Sequence, residues 1–177
     1  MGAPKAALVV DGTRLLDRAV AVLTGGGCDE VIAVIRAGVP IAGARGVVNP
    51  DPARGMRSSL RLALDVAGSA DALAVLLVDL PGVSAAAVRS VITAWRPGRI
   101  AVASYDGRRG HPTVMAPSLW RSALESAGPD EGARALLASR PDLVDDVAVP
   151  GSPDDLDTPA DLTAYVKRSR PDRKSVV

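Results

Sequence analysis

The sequence predicts an α/β fold built on a mostly parallel sheet, and three observations carry that reading. Short apolar segments of strand length alternate with segments whose apolar residues recur at helical spacing, the pattern of strand–helix–strand units. One apolar segment, Ala72 to Val78 (ALAVLLV), is uninterrupted, as expected of a strand covered on both faces. That run stops at Asp79-Leu80-Pro81, which sets a carboxylate at the C-terminal end of a strand, where open α/β sheets bind ligands. With 177 residues, 47% of them hydrophobic, the chain is long enough to bury one full core, and a single domain is expected over residues 1–167. Residues 168–177 read as a disordered, solvated tail.

The elements follow in order. Met1-Gly2-Ala3-Pro4-Lys5 opens with loop residues and passes to the apolar stretch Ala6 to Val10 and the turn Asp11-Gly12. Arg14 to Leu23 places Leu15, Leu16, Ala19, Val20 and Leu23 at helical spacing, and Gly25-Gly26-Gly27 ends that helix. Glu30 to Ile35 and Gly46 to Val48 read as strands, the second ending in Asn49-Pro50. Ser58 or Ser59 begins a helix through Leu60, Leu64 and Ala67, and the strand ending at Asp79 comes next. Ser84 caps a helix to about Ala94, Ile100 to Ser104 is a strand, and the polar loop Tyr105 to Gly110 leads to another strand at Pro112 to Met115. Pro117 to Leu124 and Glu131 to Ala138 are helical, Val144 to Val149 is a strand, and a last helix runs to about Lys167.

Composition excludes several classes of function. A formal net charge of +1, with basic residues scattered up to Lys167 and only Arg108-Arg109 adjacent, leaves no electrostatic footprint for nucleic acid or anionic membrane. The apolar runs fall far short of the roughly 20 residues a spanning helix requires. No basic, apolar, small-residue leader opens the chain and Cys28 is the single cysteine, so the cytoplasm is the expected compartment. One Cys and one His do not build a typical zinc site, so any metal is expected to be a hard, oxygen-held cation, Mg²⁺ first.

Two acids stand out as ligands for it. Asp79 either turns a carboxylate toward the crevice at the sheet edge or caps the turn before Pro81-Gly82. Asp157 precedes Thr158-Pro159-Ala160-Asp161, in which Thr158 is a natural N-cap, Pro159 suits the first helical position and Asp161 completes a capping box. Asp161 therefore has a local task, whereas Asp157 lies just outside the helix and is free to serve elsewhere.

Five segments in order, Met1-Gly2-Ala3-Pro4-Lys5, Asn49-Pro50 with Gly55-Met56 to Leu60, Leu77 to Pro81, Gly110-His111-Pro112 and Asp157-Thr158-Pro159, together resemble the MobA-like NTP transferases. The Asn-Pro, Gly-Met-Arg-Ser-Ser-Leu and Gly-His-Pro elements are most similar to the molybdenum cofactor cytidylyltransferase branch. No single segment is specific; their order from Met1 to about Val166 carries the resemblance. It implies a Rossmann-like, glycosyltransferase-A-type three-layer sandwich that binds a nucleoside triphosphate, CTP or GTP, and Mg²⁺. The implied reaction transfers a nucleotidyl group to a phosphorylated small-molecule acceptor, with cytidylyl transfer to a molybdopterin-type cofactor foremost and a molybdoenzyme as a possible partner. Such chemistry asks the protein to position reactants and neutralise growing negative charge.

By this resemblance Lys5 contacts the triphosphate, and Asp79 and Asp157 hold Mg²⁺. From the residues alone an isolated Lys5 reads as an ordinary solvated lysine, and its place in Gly2-Ala3-Pro4-Lys5 favours the phosphate-binding reading. His111 is implied near the acceptor, although a lone histidine is more often a hydrogen-bonded structural residue. Ser58 and Ser59 either present a helix N-terminus to an anionic group or simply cap it, and Asn49 joins the substrate-binding set through the family pattern while also suiting an Asx turn. Asp130 and Arg134, in Asp130-Glu131-Gly132-Ala133-Arg134, resemble the family's acceptor-pocket stretch, with a helix-surface salt bridge between them as the other reading.

The family's first strand and Gly/Arg-rich loop have no counterpart ahead of Gly2 to Lys5. That strand is central, so neighbouring strands are expected to carry unpaired backbone groups, at roughly 1–3 kcal/mol each. A start upstream of Met1 is the favoured explanation, a shortened chain the other, and residues 1–177 alone are expected to bind NTP weakly. A catalytically silent homologue and a sugar-nucleotide enzyme of the same fold are the competing functional readings.

Overall fold

The computed structural model describes residues 5–169, so Met1 to Pro4 lie outside the described residues, as does the expected tail of residues 168–177 except for 168 and 169, which are helical. After a single 3-10 turn at Lys5–Ala7, β1 (Val9–Val10) and β2 (Thr13–Arg14) form a small antiparallel hairpin. Asp11 and Gly12 join its strands with φ of 49° and 80°, the doubly positive geometry of a tight two-residue turn. There follow α1 (Leu15–Gly26), β3 (Ile32–Ile35), β4 (Arg45–Val48), α2 (Met56–Val66), β5 (Leu73–Val75), α3 (Ala85–Ala94), β6 (Ile100–Tyr105), β7 (Arg108–Met115), α4 (Pro117–Ser126), α5 (Arg134–Ser139), β8 (Val144–Ala148) and α6 (Pro159–Ser169).

Three layers result, because β6 alternates its side chains between two helical faces. Ala101 and Ala103 pack toward Val88 and Val91 of α3, with Val22 and Leu23 of α1 beside them. Ile100 and Val102 face the other way, onto Leu64 of α2 and Trp120, Ala123 and Leu124 of α4. The buried indole of Trp120 donates from Nε1 to the Leu73 carbonyl at 3.1 Å, fastening α4 to β5.

The α/β layering is as expected, and strand direction within it is partly parallel and partly antiparallel. The strands fall into a parallel pair, β3 with β4, and a four-stranded mixed sheet in the order β5-β7-β6-β8, where β6 and β8 are parallel and β7 runs against both its neighbours. The cause is local: β6 returns into β7 through the short turn at Asp106-Gly107, and strands joined by so tight a connection pair antiparallel.

The run Ala72 to Val78 is a strand for three residues, Leu73–Val75, and all seven of its positions are half-buried rather than enclosed on both faces. Among the described residues β5 pairs with β7 alone and β3 with β4 alone, so each keeps one edge without a ladder. These strands, together with α1 and α2, bound a largely apolar cavity of about 850 Å³. The expected unpaired edges are there, and they shorten β5, because a strand without partners on one side loses the hydrogen bonds that would extend it.

Candidate active site

Asp79 lies in the turn after β5, and Asp157 directly before α6, 78 positions further along the chain. Two close approaches bring their loops together. A Cβ added to Gly82 would lie 2.7 Å from the Ser152 carbonyl oxygen, and one added to Gly151, at φ 116°, only 2.5 Å from the Gly82 oxygen. Glycine at both positions is what lets the two backbones touch. The Leu156 N–H then donates to the Asp79 carbonyl at 3.0 Å, and buried Leu156 anchors the end of the loop beside Val10 and Leu15. Asp157 is thereby delivered to the end of β5.

α6 begins as its local sequence requires. Thr158 Oγ1 accepts from the Asp161 N–H at 3.2 Å, and Asp161 Oδ2 accepts from the Thr158 N–H at 2.7 Å, the reciprocal pair of a capping box. The Thr158 hydroxyl, and then the Thr158 N–H, hold Asp161 below the usual carboxylate range. The Asp157 backbone N–H adds to the hold on Asp161, while its side chain is left for Lys5.

Lys5 joins the two acids. Its Nζ donates to Asp79 Oδ2 at 2.7 Å and, through a very short contact, to Asp157 Oδ1, so both carboxylates converge on a single nitrogen. Partial burial pushes the Lys5 pKa down, but hydrogen bonds and charges from Asp157 and Asp79 outweigh burial and leave it raised. The Lys5 and Asp79 side chains are 33% and 17% exposed and that of Asp157 is 59% exposed, so the cluster is sheltered on the Asp79 side and open to solvent on the Asp157 side.

The donor set suits a hard divalent cation. Two carboxylate oxygens that bracket one nitrogen are close enough to share an ion, and Asp79 Oδ1 is buried with no hydrogen-bond partner. No N–H of the turn reaches either side-chain oxygen of Asp79, so the turn-capping reading is not realised. Among the described residues no group of three or more His, Cys, Asp or Glu gathers as a metal cage. Two carboxylates are what Mg²⁺, which keeps several of its waters, ordinarily takes from a protein.

His111 sits on β7 beside β5. Its Nδ1 lies 3.0 Å from the Val75 carbonyl, which can only accept, so Nδ1 carries the proton and Nε2 is the free acceptor of a neutral ring. Burial pushes its pKa down, opposed by the Val75 hydrogen bond and the Asp79 charge. Tyr105, its own phenol pushed up to about 12 by burial, donates to the His111 carbonyl at 2.6 Å. The one histidine thus has a hydrogen-bonded structural place against Val75, which lies four residues before Asp79.

Asn49, Ser58 and Ser59 form a separate unit. The buried Asn49 amide donates to both serine hydroxyls, at 2.9 and 3.0 Å, while its Oδ1 accepts from the Asp51 N–H at 3.0 Å in an Asx turn. Neither serine caps α2. The helix starts earlier, at Met56, with Gly55 in the cap position, and Ser58 donates to the Gly55 carbonyl. The Met56 N–H is satisfied instead by Asp130 Oδ1 at 3.0 Å, and the Arg57 N–H by the Pro129 carbonyl at 2.9 Å. Asp130 is therefore joined to the Asn49 group through α2, while Arg134 is exposed and forms no ion pair with Asp130 among the described residues. Among the described residues no hydrogen bond or ion pair links this second group to Lys5, Asp79 or Asp157.

Sequence reasoning missed Gly82, Gly151, Ser152 and Leu156, which set the spacing of the acids. The available signal was the repeated Pro-Gly, Pro81-Gly82 and Pro150-Gly151, one in each of the loops that follow β5 and β8 and carry the acids.

Known proteins resemble this chain over most of its length. The model of the MobA-like NTP transferase domain matches residues 1–147. Nicotine blue oxidoreductase of Paenarthrobacter nicotinovorans is 35% identical over 171 residues, covering 88% of this chain and 84% of that protein. The crystal structure of Rv0371c from Mycobacterium tuberculosis superposes with a TM-score of 0.80 at 28% identity, covering 94% of this chain and 90% of that one. Its complex with manganese superposes at 0.77, with 94% and 92% covered. The 2-C-methyl-D-erythritol 4-phosphate cytidylyltransferase of Thermus thermophilus, 21% identical with 95% of both chains covered, shares the fold at a TM-score of 0.66.

Proposed function

Because the chain belongs to the MobA-like NTP transferase domain family, a nucleotidyltransferase family, we propose that it is a Mg²⁺-dependent enzyme moving an NMP from an NTP to a phosphorylated acceptor, specifically a cytidylyl group to a molybdopterin-type cofactor. The observation that carries this reading is the convergence of Asp79, Asp157 and Lys5 on one point at the end of β5. A phosphate oxygen of the acceptor attacks the α-phosphorus, and the bond to pyrophosphate breaks. Asp79 and Asp157 would hold the divalent ion, which supplies charge neutralisation on the phosphate oxygens. Lys5 offers a mobile point charge for the departing pyrophosphate. His111 orients the strand end that carries Asp79, and the Asn49–Ser58–Ser59 unit with Asp130 and Arg134 forms the side assigned to the acceptor. Transfer to a molybdoenzyme partner follows from the choice of acceptor.

The test is pyrophosphate release with CTP, GTP or ATP and Mg²⁺ in the presence of molybdopterin or a sugar 1-phosphate, with thermal shifts on the same samples. Slow but measurable release with CTP and the pterin phosphate is expected, together with a small nucleotide-dependent rise in Tm, in keeping with weak NTP binding. Neither release nor a shift with any NTP would overturn the proposal in favour of a silent homologue, a reading favoured by the open edge of β5 beside the site. The named chemistry of the 35% identical relative supplies a second reading, oxidoreduction, which predicts a change in the absorbance of nicotine blue when a reductant is supplied.

A further inference from the structure

Lys5 stands where the acid pair calls for a cation. Its ammonium touches Asp79 Oδ2 and Asp157 Oδ1 at once, and among the described residues those two acids have no other ion-pair partner. Without that charge, two carboxylates facing one point would repel each other. A divalent ion bound between the same oxygens would stand within contact distance of the ammonium, and two cations do not share so small a space. The lysine also cannot reach a triphosphate while both of its acids hold it.

We propose that Lys5 is the resident counter-cation of the Asp79–Asp157 pair, displaced when a divalent ion arrives and thereby released toward the phosphates that accompany it. This rests on reading the two acids as the metal-holding pair. The side chain is built for such a move: it has a long flexible stem, it is one-third exposed, and it springs from a single 3-10 turn rather than a packed helix. The exchange makes metal-free protein self-neutralised, and it makes metal binding a competition in which the lysine-bound state weakens the apparent affinity for the ion by its own population. A metal ion arriving with a nucleotide gains at both ends, since the freed lysine then has phosphate oxygens to meet.

Mn²⁺ titrated into the full chain and followed by the electron paramagnetic resonance of the free ion tests this, using wild type, Lys5→Gln, Lys5→Arg and Asp79→Asn, with melting temperatures on the same samples. Lys5→Gln is expected to bind Mn²⁺ about tenfold more tightly than wild type, within the usual span of coupling between two ligands. Lys5→Arg, which keeps the charge, is expected to stay near wild type, and Asp79→Asn to lose the site. Metal-free Lys5→Gln is expected to melt below wild type and to recover at saturating Mn²⁺. Equal or weaker Mn²⁺ binding by Lys5→Gln would overturn the exchange while leaving the nucleotidyl-transfer reading standing. Failure of both wild type and Lys5→Gln to bind Mn²⁺ would overturn both.

Discussion

Replacing Gly82 by Ala tests whether the contact between the two loops sets the acid pair. The new methyl carbon would lie 2.7 Å from the Ser152 oxygen and 3.0 Å from its Cβ, where ordinary contact begins at 3.4 Å. The neighbour at 2.7 Å is backbone, so relief requires the loop that ends in Asp157 to retreat by several tenths of an ångström. Overpacking of this kind costs about 1–3 kcal/mol. At roughly 2–4 °C per kcal/mol for a chain of this length, a cost near 2 kcal/mol lowers Tm by about 4–8 °C. The same retreat pulls Asp157 away from Asp79, and since a misplacement of about 1 Å can cost 10²-fold in rate, the smaller shift here is expected to cost about tenfold in pyrophosphate release. Thermal denaturation and the release assay on one preparation read both effects. Wild-type Tm and wild-type turnover in Gly82→Ala would show that the loop contact positions nothing.

Burial holds the His111 pKa below 6.5, against the Val75 hydrogen bond and the Asp79 charge. As pH falls through that value the unfolded chain takes up a proton that the native imidazole resists, so stability should decline with acidity. In His111→Gln this component of the Tm-against-pH curve should vanish, and parallel curves for the two proteins would contradict the assignment. Asn49→Ala strips a buried amide from two serine hydroxyls and the Asp51 N–H. It is expected to cost about 1–3 kcal/mol, read as a lower urea midpoint at unchanged m-value.

The order of strands and helices from α1 onward, the Ser84 cap and the Thr158–Asp161 box were legible in the sequence, whereas the β1–β2 hairpin was not. Each rests on apolar spacing or on hydrogen bonds spanning about three residues, which the local chain determines by itself. The same local logic named Asp157 as a carboxylate without a local task. It failed at α2, where two serines at the expected start satisfy Asn49, and the cap comes from Asp130, 74 positions away. It also failed along Ala72 to Val78, because apolar content marks a strand but does not tell whether a neighbour exists to pair with it. The meeting of Lys5 with Asp79 and Asp157, across 74 and 152 positions, belongs to the tertiary structure alone. It depends on two loops closing through Gly82 and Gly151, and contacts of that range are set by how layers pack, not by the residues that flank them.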